Sequence, residues 1–345
     1  MRWRTSPPGR GPASNRAGTH EVNSSELPVR IAVLDDYQRV APKIADWSAV
    51  DRRASVDFFN DHLVGNDAVV ARLLTYDAIC VMRERTPLSR TVLERLPKLK
   101  LIASTGPRNA SIDSAAATER GITVLHTSSS SSSTVELTWA LILAGARHIV
   151  SENASLRAGG WQQSIGEDIG GKTLGIIGLG RIGSRVARIG LAFGMNVIAW
   201  SQNLTSTIAA AAGARLVSKE ELLRESDVVS IHLVLSSRTT GLIGAPEFGR
   251  MKPSARLVNT SRGQIVDEAA LITALTDRQI AGAAVDVFDT EPLPPEHPYR
   301  RIGGLLATPH IGYVSEGAYR QFYRETIANI AAWLDAYEDG RPVDS

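Results

Sequence analysis

The chain has 345 residues, too many for one ordinary core and enough for two domains of roughly 100–200 residues each, which implies a cleft. With 43% apolar residues, 21% charged residues and a formal charge of +2, it has a soluble globular composition and no general electrostatic case for a nucleic-acid partner. No apolar stretch reaches the roughly 20 residues of a membrane helix and no short apolar core follows the N-terminal charges, so no membrane partner is expected and the expected location is cytoplasmic.

Residues 1–28 scatter Arg2, Arg4, Arg10 and Arg16 among Pro7, Pro8, Gly9, Gly11, Pro12 and Ser14, with too little apolar surface to fold. We expect a disordered extension; an organelle transit peptide and an overlong start remain alternatives. From Val29 onward, short apolar runs alternate with helix-like stretches. Val29–Leu34, Val56–Phe59, Ala78–Met82, Leu99–Ala103 and Ile122–Leu125 read as buried strands, a spacing that predicts βαβ units and a parallel sheet. Cys80, the single cysteine, lies inside the third run; it excludes an internal disulfide and reads as a core residue.

The six-serine run Ser128–Ser133 leads into Thr134-Val135-Glu136 and the apolar Leu137–Ala146. Its end reads as an N-cap with Glu136 in the first helical turn, and the helix expected over 134–149 would bridge the domains. A second strand series follows: Leu174–Ile177, Val197–Trp200, Val228–Leu233, Arg256–Val258, Ala283–Val287 and Leu305–Ala307. The stretch Ser315–Tyr337 repeats apolar residues at three- and four-residue steps and predicts a long final helix. The fold class is therefore α/β, two doubly wound, Rossmann-like parallel-sheet domains with a cleft between them. Residues 29–130 plus 311–345 form the expected substrate domain and 131–310 the dinucleotide-binding domain.

The strand run Thr173–Ile177 enters Gly178-Leu179-Gly180-Arg181-Ile182-Gly183, and a helical pattern follows. Gly178 permits a tight turn, Gly180 lets the backbone approach a pyrophosphate, and Gly183 lets the helix pack on the strand. Arg181 and Ile182 belong to the same cradle, at a helix N-terminus aimed at the anion. Flanked by strand and helix, this glycine pattern is specific for a dinucleotide. After the next strand, where an NAD-binding chain usually carries an acidic residue for the ribose 2′-hydroxyl, the sequence reads Ser201-Gln202-Asn203. No carboxylate repels a 2′-phosphate there and no arginine attracts one, so the cofactor is NAD or NADP.

Three more segments fall at strand ends, where open α/β sheets place ligands: Val258-Asn259-Thr260-Ser261-Arg262-Gly263, Ala284–Leu293, and Thr308-Pro309-His310-Ile311-Gly312. With the glycine turn, in this order and spacing, they resemble the D-isomer-specific 2-hydroxyacid dehydrogenase family, over almost everything from about residue 29 to 337. The resemblance implies hydride transfer between NAD(P)H and a 2-keto acid or D-2-hydroxy acid. It implies that Arg262 binds the substrate carboxylate and polarises its carbonyl, and that Glu291 hydrogen-bonds His310. The chemistry agrees: as carbon receives hydride the oxygen gains charge, so a protonated imidazole must donate to it and a fixed cation must stabilise it. A carboxylate beside the imidazole favours its charged form. Asp286 near the nicotinamide amide and His232 in the wall of the cofactor cleft are further implied contacts.

The family's substrate loop corresponds to Thr105-Gly106-Pro107-Arg108-Asn109, and here the sequence departs from the pattern. Pro107 has no N–H to donate, and Arg108 stands where glycine is common. Arg83 matches a position that meets the anionic end of the substrate in phosphoglycerate-oxidising relatives. Either arginine could equally be a solvated side chain. No His/Cys/Asp/Glu group has metal-ligand spacing and no serine has a nucleophile-elbow context, so neither metal nor covalent catalysis is expected. The alternative from another class is a nicotinamide-responsive corepressor of the same fold. Formate dehydrogenase, which lacks the glutamate partner, ranks below both. The resemblance also implies a homodimer, for which Trp139 and Leu143 on the bridging helix would serve unless they are intrachain core.

Overall fold

Strands whose side chains are apolar on both sides must be covered by helices on both faces, which is the arrangement of a parallel sheet fed by crossover helices. A computed structural model describes residues 29–339; the expected extension 1–28 and residues 340–345 lie outside them. Two sheets form. One has five strands, β1 (Val29–Val33), β2 (Ala54–Phe58), β3 (Ala78–Val81), β4 (Leu101–Ser104) and β5 (Thr123–His126), in the order β2-β1-β3-β4-β5. The other has seven, β6 (Thr173–Ile177), β7 (Asn196–Trp200), β8 (Arg215–Leu216), β9 (Val228–Ile231), β10 (Arg256–Asn259), β11 (Gly282–Val285) and β12 (Leu305–Ala307), in the order β12-β11-β10-β9-β6-β7-β8. Both sheets are parallel, as expected for two doubly wound domains.

The described residues divide into two compact units, one of residues 29–103, Ala110–Leu125 and 327–339, the other of Ser104–Asn109 and His126–Thr326. In the smaller unit β3 and β4 are buried along their whole length, and Ile79, Leu88, Leu93 and Ile102 fill the core. Cys80 is buried there, and loss of solvent pushes its thiol up to about 12, as suits a core residue. In the larger unit the strand order reverses between β6 and β9. That reversal opens a crevice at the carboxyl ends of these two strands.

Two local expectations need correction. The helix after the serine run begins earlier, at Ser132, and ends at Ala146, so Glu136 is an exposed fifth residue rather than part of the first turn. Its N-cap residue, Ser131, makes no side-chain capping bond; Arg185 instead donates to the hydroxyls of Ser131 at 2.8 Å and Ser132 at 3.1 Å. All residues of this helix belong to the larger unit. Val135, Trp139 and Ile142 pack against Leu174, Val186 and Val258, and Trp139 meets Phe193 with ring centroids 5.0 Å apart. Burial of that apolar face anchors the helix wholly in the larger unit. The final helix spans Glu316–Glu338. No helix among the described residues is long and apolar enough to cross a membrane.

Candidate active site

Four turns at the carboxyl ends of β6, β10, β11 and β12 carry most of the residues singled out above, all within the larger unit. After β6, Gly178 has φ +98°, and a Cβ there would lie 2.5 Å from the carbonyl oxygen of His232 at the end of β9. A Cβ on Gly183 would collide with the carbonyl of Gly178. At Gly180, by contrast, an added Cβ would meet nothing within 4 Å, so the turn is closed towards the protein and open on its outer side. The ten-residue helix Gly183–Ala192 starts beside it, with Arg181 exposed and Ile182 half-buried. A tight turn with one open face at a helix N-terminus fits the pyrophosphate of a dinucleotide.

Next to this crevice, His232 places Nε2 2.9 Å from the Ser230 hydroxyl, and burial pushes its imidazole down to about 3. The folded protein therefore refuses a proton that the unfolded chain accepts near pH 6.5. Stability is lost as the pH falls from that value towards 3. At the end of β7, Ser201 is half-buried and Gln202 and Asn203 are exposed.

The turn after β10 is tied by its own side chains. Asn259, buried, donates from Nδ2 to the carbonyl of Arg262 at 2.8 Å and accepts from the N–H of Ser261 at 3.0 Å. The Ser261 hydroxyl donates to the carbonyl of Ile231 at 2.7 Å, and Arg262 donates from Nη1 to the carbonyl of Ser261 at 2.8 Å. Gly263 lies against the backbone of Phe288 so closely that a Cβ would collide with it. The N–H of Phe288 donates to Oε1 of Glu291 at 2.9 Å, and Oε2 of the same carboxylate stands 2.6 Å from Nδ1 of His310. The Arg262 turn, the Glu291 carboxylate and the His310 imidazole thus form one connected unit. With Nδ1 engaged by Glu291, Nε2 is the ring nitrogen left to exchange a proton with another group.

Asp286 at the end of β11 is buried, and its carboxylate accepts from the Thr308 hydroxyl at 2.6 Å and from the N–H groups of Ile311 and Gly312, each at 2.8 Å. Burial raises this carboxyl above its ordinary value, while those hydrogen bonds and the charge of His310 pull it back. These bonds brace a loop in which His310 adopts φ +51°, a left-handed conformation that a non-glycine residue holds only when its surroundings impose it. Tyr313 adds an edge-on ring contact to the imidazole at 5.3 Å.

The substrate-loop residues show less organisation around ligand donors. Gly106 donates its N–H to the Thr127 hydroxyl at 2.7 Å, Pro107 has none, and Arg108 is exposed. Arg83, in the smaller unit, has φ +54° and places its guanidinium 3.5 Å from Glu84. Asn259, Gly263, Thr308 and Tyr313 do not stand out in the sequence, although all four lie within or next to the segments that carry the resemblance. Asn259 and Tyr313 matter through contacts inside their own turns, Gly263 and Thr308 through contacts with the β11 turn.

Residues 139–312 match the model of the D-isomer specific 2-hydroxyacid dehydrogenase, NAD binding domain. A glyoxylate reductase of Aeropyrum pernix is 45% identical over 229 residues, covering 64% of this chain and 68% of that protein. A D-3-phosphoglycerate dehydrogenase of Methanocaldococcus jannaschii is 40% identical over 246 residues, covering 70% of this chain but 47% of that one, so the chain spans about half its length. Among solved structures, a phosphoglycerate oxidoreductase from Vibrio cholerae superposes with a TM-score of 0.85 at 35% identity, covering 89% of this chain and 99% of that one. The chain belongs to the D-isomer specific 2-hydroxyacid dehydrogenase family and is an NAD-dependent oxidoreductase of 2-hydroxy acids.

Proposed function

We propose that this chain reduces a 2-keto acid to the D-2-hydroxy acid with His310 as proton donor, Arg262 as substrate anchor and Glu291 as the partner that orients the imidazole. The observation that carries the reading is the 2.6 Å contact between Glu291 and His310, joined through Phe288 and Gly263 to the Arg262 turn. When bound, the nicotinamide supplies the hydride in reduction and accepts it in oxidation. Arg262 pairs with the substrate carboxylate and offsets charge that develops on the carbonyl oxygen. The proton on Nε2 of His310 passes to that oxygen, and the remaining imidazole keeps its orientation through Nδ1. Residues 131–310 serve the dinucleotide and 29–130 with 311–345 the substrate side. Gly178, Gly180, Arg181, Ile182, Gly183, Ser201 and His232 are assigned to the cofactor, and Asp286 to both cofactor and loop. A substrate role for Arg83 rests on resemblance, and one for Arg108 on its cationic side chain taking the place of the backbone donor missing at Pro107.

Initial rates over glyoxylate, hydroxypyruvate, 3-phosphohydroxypyruvate and bulkier keto acids, with NADH and NADPH separately, test the reading. Turnover of at least one acid to the D-product is expected. Cofactor binding without turnover of any would favour a corepressor-like binding protein instead. Because Ser201 and Gln202 neither repel nor clamp a 2′-phosphate, discrimination between the two cofactors should be modest, and Ser201→Asp should shift it towards NADH. A parent enzyme that already rejects NADPH by about four powers of ten would overturn this, since that selectivity needs a strong repulsive element.

A homodimer completes the proposal, with a different surface from that expected. Trp139 is intrachain core. The exposed apolar residues follow it: Ile149, Val150 and Leu156 on the helix Ile149–Arg157, which buries no residue, then Trp161 at 72% and Ile165 at 95% exposure. A succession of exposed apolar side chains of this kind supports an association surface. Sedimentation at twice the chain mass, lost in Trp161→Glu, is the expected result; a monomeric parent would exclude it. The proposed location is the cytoplasm, which cell fractionation would check.

A further inference from the structure

Strands β10 and β12 are separated in the sheet by β11, so the turns carrying Arg262 and His310 share no ladder hydrogen bonds that would set their spacing. The helix Ser132–Ala146 reaches both. Thr134 and Thr138 are four residues apart and so project from one helix face. Thr138 is fully buried, and its hydroxyl donates to the carbonyl of Thr134 at 2.8 Å. A hydroxyl has one proton, so at 2.9 Å from the Thr260 hydroxyl that of Thr138 is the acceptor and Thr260 the donor. Thr260 lies two residues before Arg262. The Thr134 hydroxyl in turn donates to the carbonyl of Gly312 at 3.1 Å, two residues after His310.

We propose that Thr134 and Thr138 are positioning residues that use one rigid helix to set the spacing between the Arg262 guanidinium and the His310 imidazole; this rests on the roles assigned above. A helix is stiff over four residues, and these two hydroxyls tie directly to it turns that are otherwise joined through the β11 turn, by Glu291 to His310 and by Asp286 to the loop behind it. Loss of the Thr138 hydroxyl leaves that of Thr260 buried without its acceptor, which pushes the Arg262 turn to rearrange. Loss of the Thr134 hydroxyl frees the carbonyl of Gly312 and loosens the loop behind His310.

The test is steady-state kinetics of Thr138→Val and Thr134→Val, shape-conserving changes that delete only the hydroxyl's hydrogen bonds, on the best keto acid found. Thr138→Val should raise KM about tenfold through the substrate anchor, with kcat changing less. Thr134→Val should lower kcat about tenfold and alter its pH profile while KM stays near the parent's. Thr138→Ser, which keeps the hydroxyl, should restore KM. If Thr138→Val fails to fold, Thr260→Ala removes the same contact without leaving an unpaired donor and should raise KM likewise. Variants that melt at lower temperature with parent KM and kcat would overturn the inference, as would failure of Thr138→Ser to rescue. Arg262→Ala and His310→Ala run alongside. If these two keep full activity, the assigned roles fall and this inference with them; if they are inactive while the threonine variants match the parent, the inference alone falls.

Discussion

Replacing Arg262 by alanine is expected to lower kcat/KM for keto-acid reduction by about three to five powers of ten, from loss of a charge-assisted carboxylate anchor together with a cation beside the developing oxyanion. Both KM and kcat should move, because the first contact exists in the ground state and the second strengthens in the transition state. The fold should survive. The turn is held by Asn259, Ser261 and their backbone partners, with the bond from Arg262 to the carbonyl of Ser261 staying inside the same turn. Arg262→Lys keeps the charge but not the planar fork, so it should recover part of the loss. Near-parent turnover and affinity of Arg262→Ala for every active keto acid, with the unfolding transition unchanged, would remove the centre of the proposed mechanism.

The second large effect concerns His310 and Glu291. For reduction the imidazole must arrive protonated and for oxidation neutral, so the pH profiles of the two directions should slope in opposite senses around one ionisation. His310→Ala should abolish that ionisation and slow both directions by about two to four powers of ten. Glu291→Gln keeps the shape but replaces a charge-assisted hydrogen bond 2.6 Å from Nδ1 with a weaker one, so the imidazole is held less firmly and reduction should slow by about one power of ten. The half-buried His232 withdraws stability as the pH falls below about 6.5, so unfolding must be followed at each pH to keep the two effects apart. Parent-like rates in Glu291→Gln, or a parent-like pH dependence in His310→Ala, would sink the acid–base assignment.

Features governed by local backbone chemistry are legible in the amino-acid sequence alone. Short apolar runs such as Ala78–Val81, and Val228–Ile231 with Ser230 inside it, read as strands covered on both faces, and both are buried throughout. Gly178 belongs at a turn that other residues resist, and it has φ +98° against the carbonyl of His232. Arg262, Glu291 and His310 stand out together because the segments that carry them resemble the family's motifs in order and spacing. The two-residue β8 is too short a run to register. Trp139 carries the same apolar character whether it faces a partner or its own core, and only packing against Leu174 and Phe193 decides between them. The serine run predicts a cap, but the guanidinium of Arg185, 54 residues away from Ser131, claims that hydroxyl. Asp286 reads as a cofactor contact, yet the fold commits its carboxylate to Thr308, Ile311 and Gly312. The link between Thr138 and Thr260 crosses 122 residues of chain. Such pairings follow no periodicity: a buried hydroxyl or carboxylate takes whichever partner the assembled sheet and helices leave unpaired, and that choice exists only once the strands have been ordered in space.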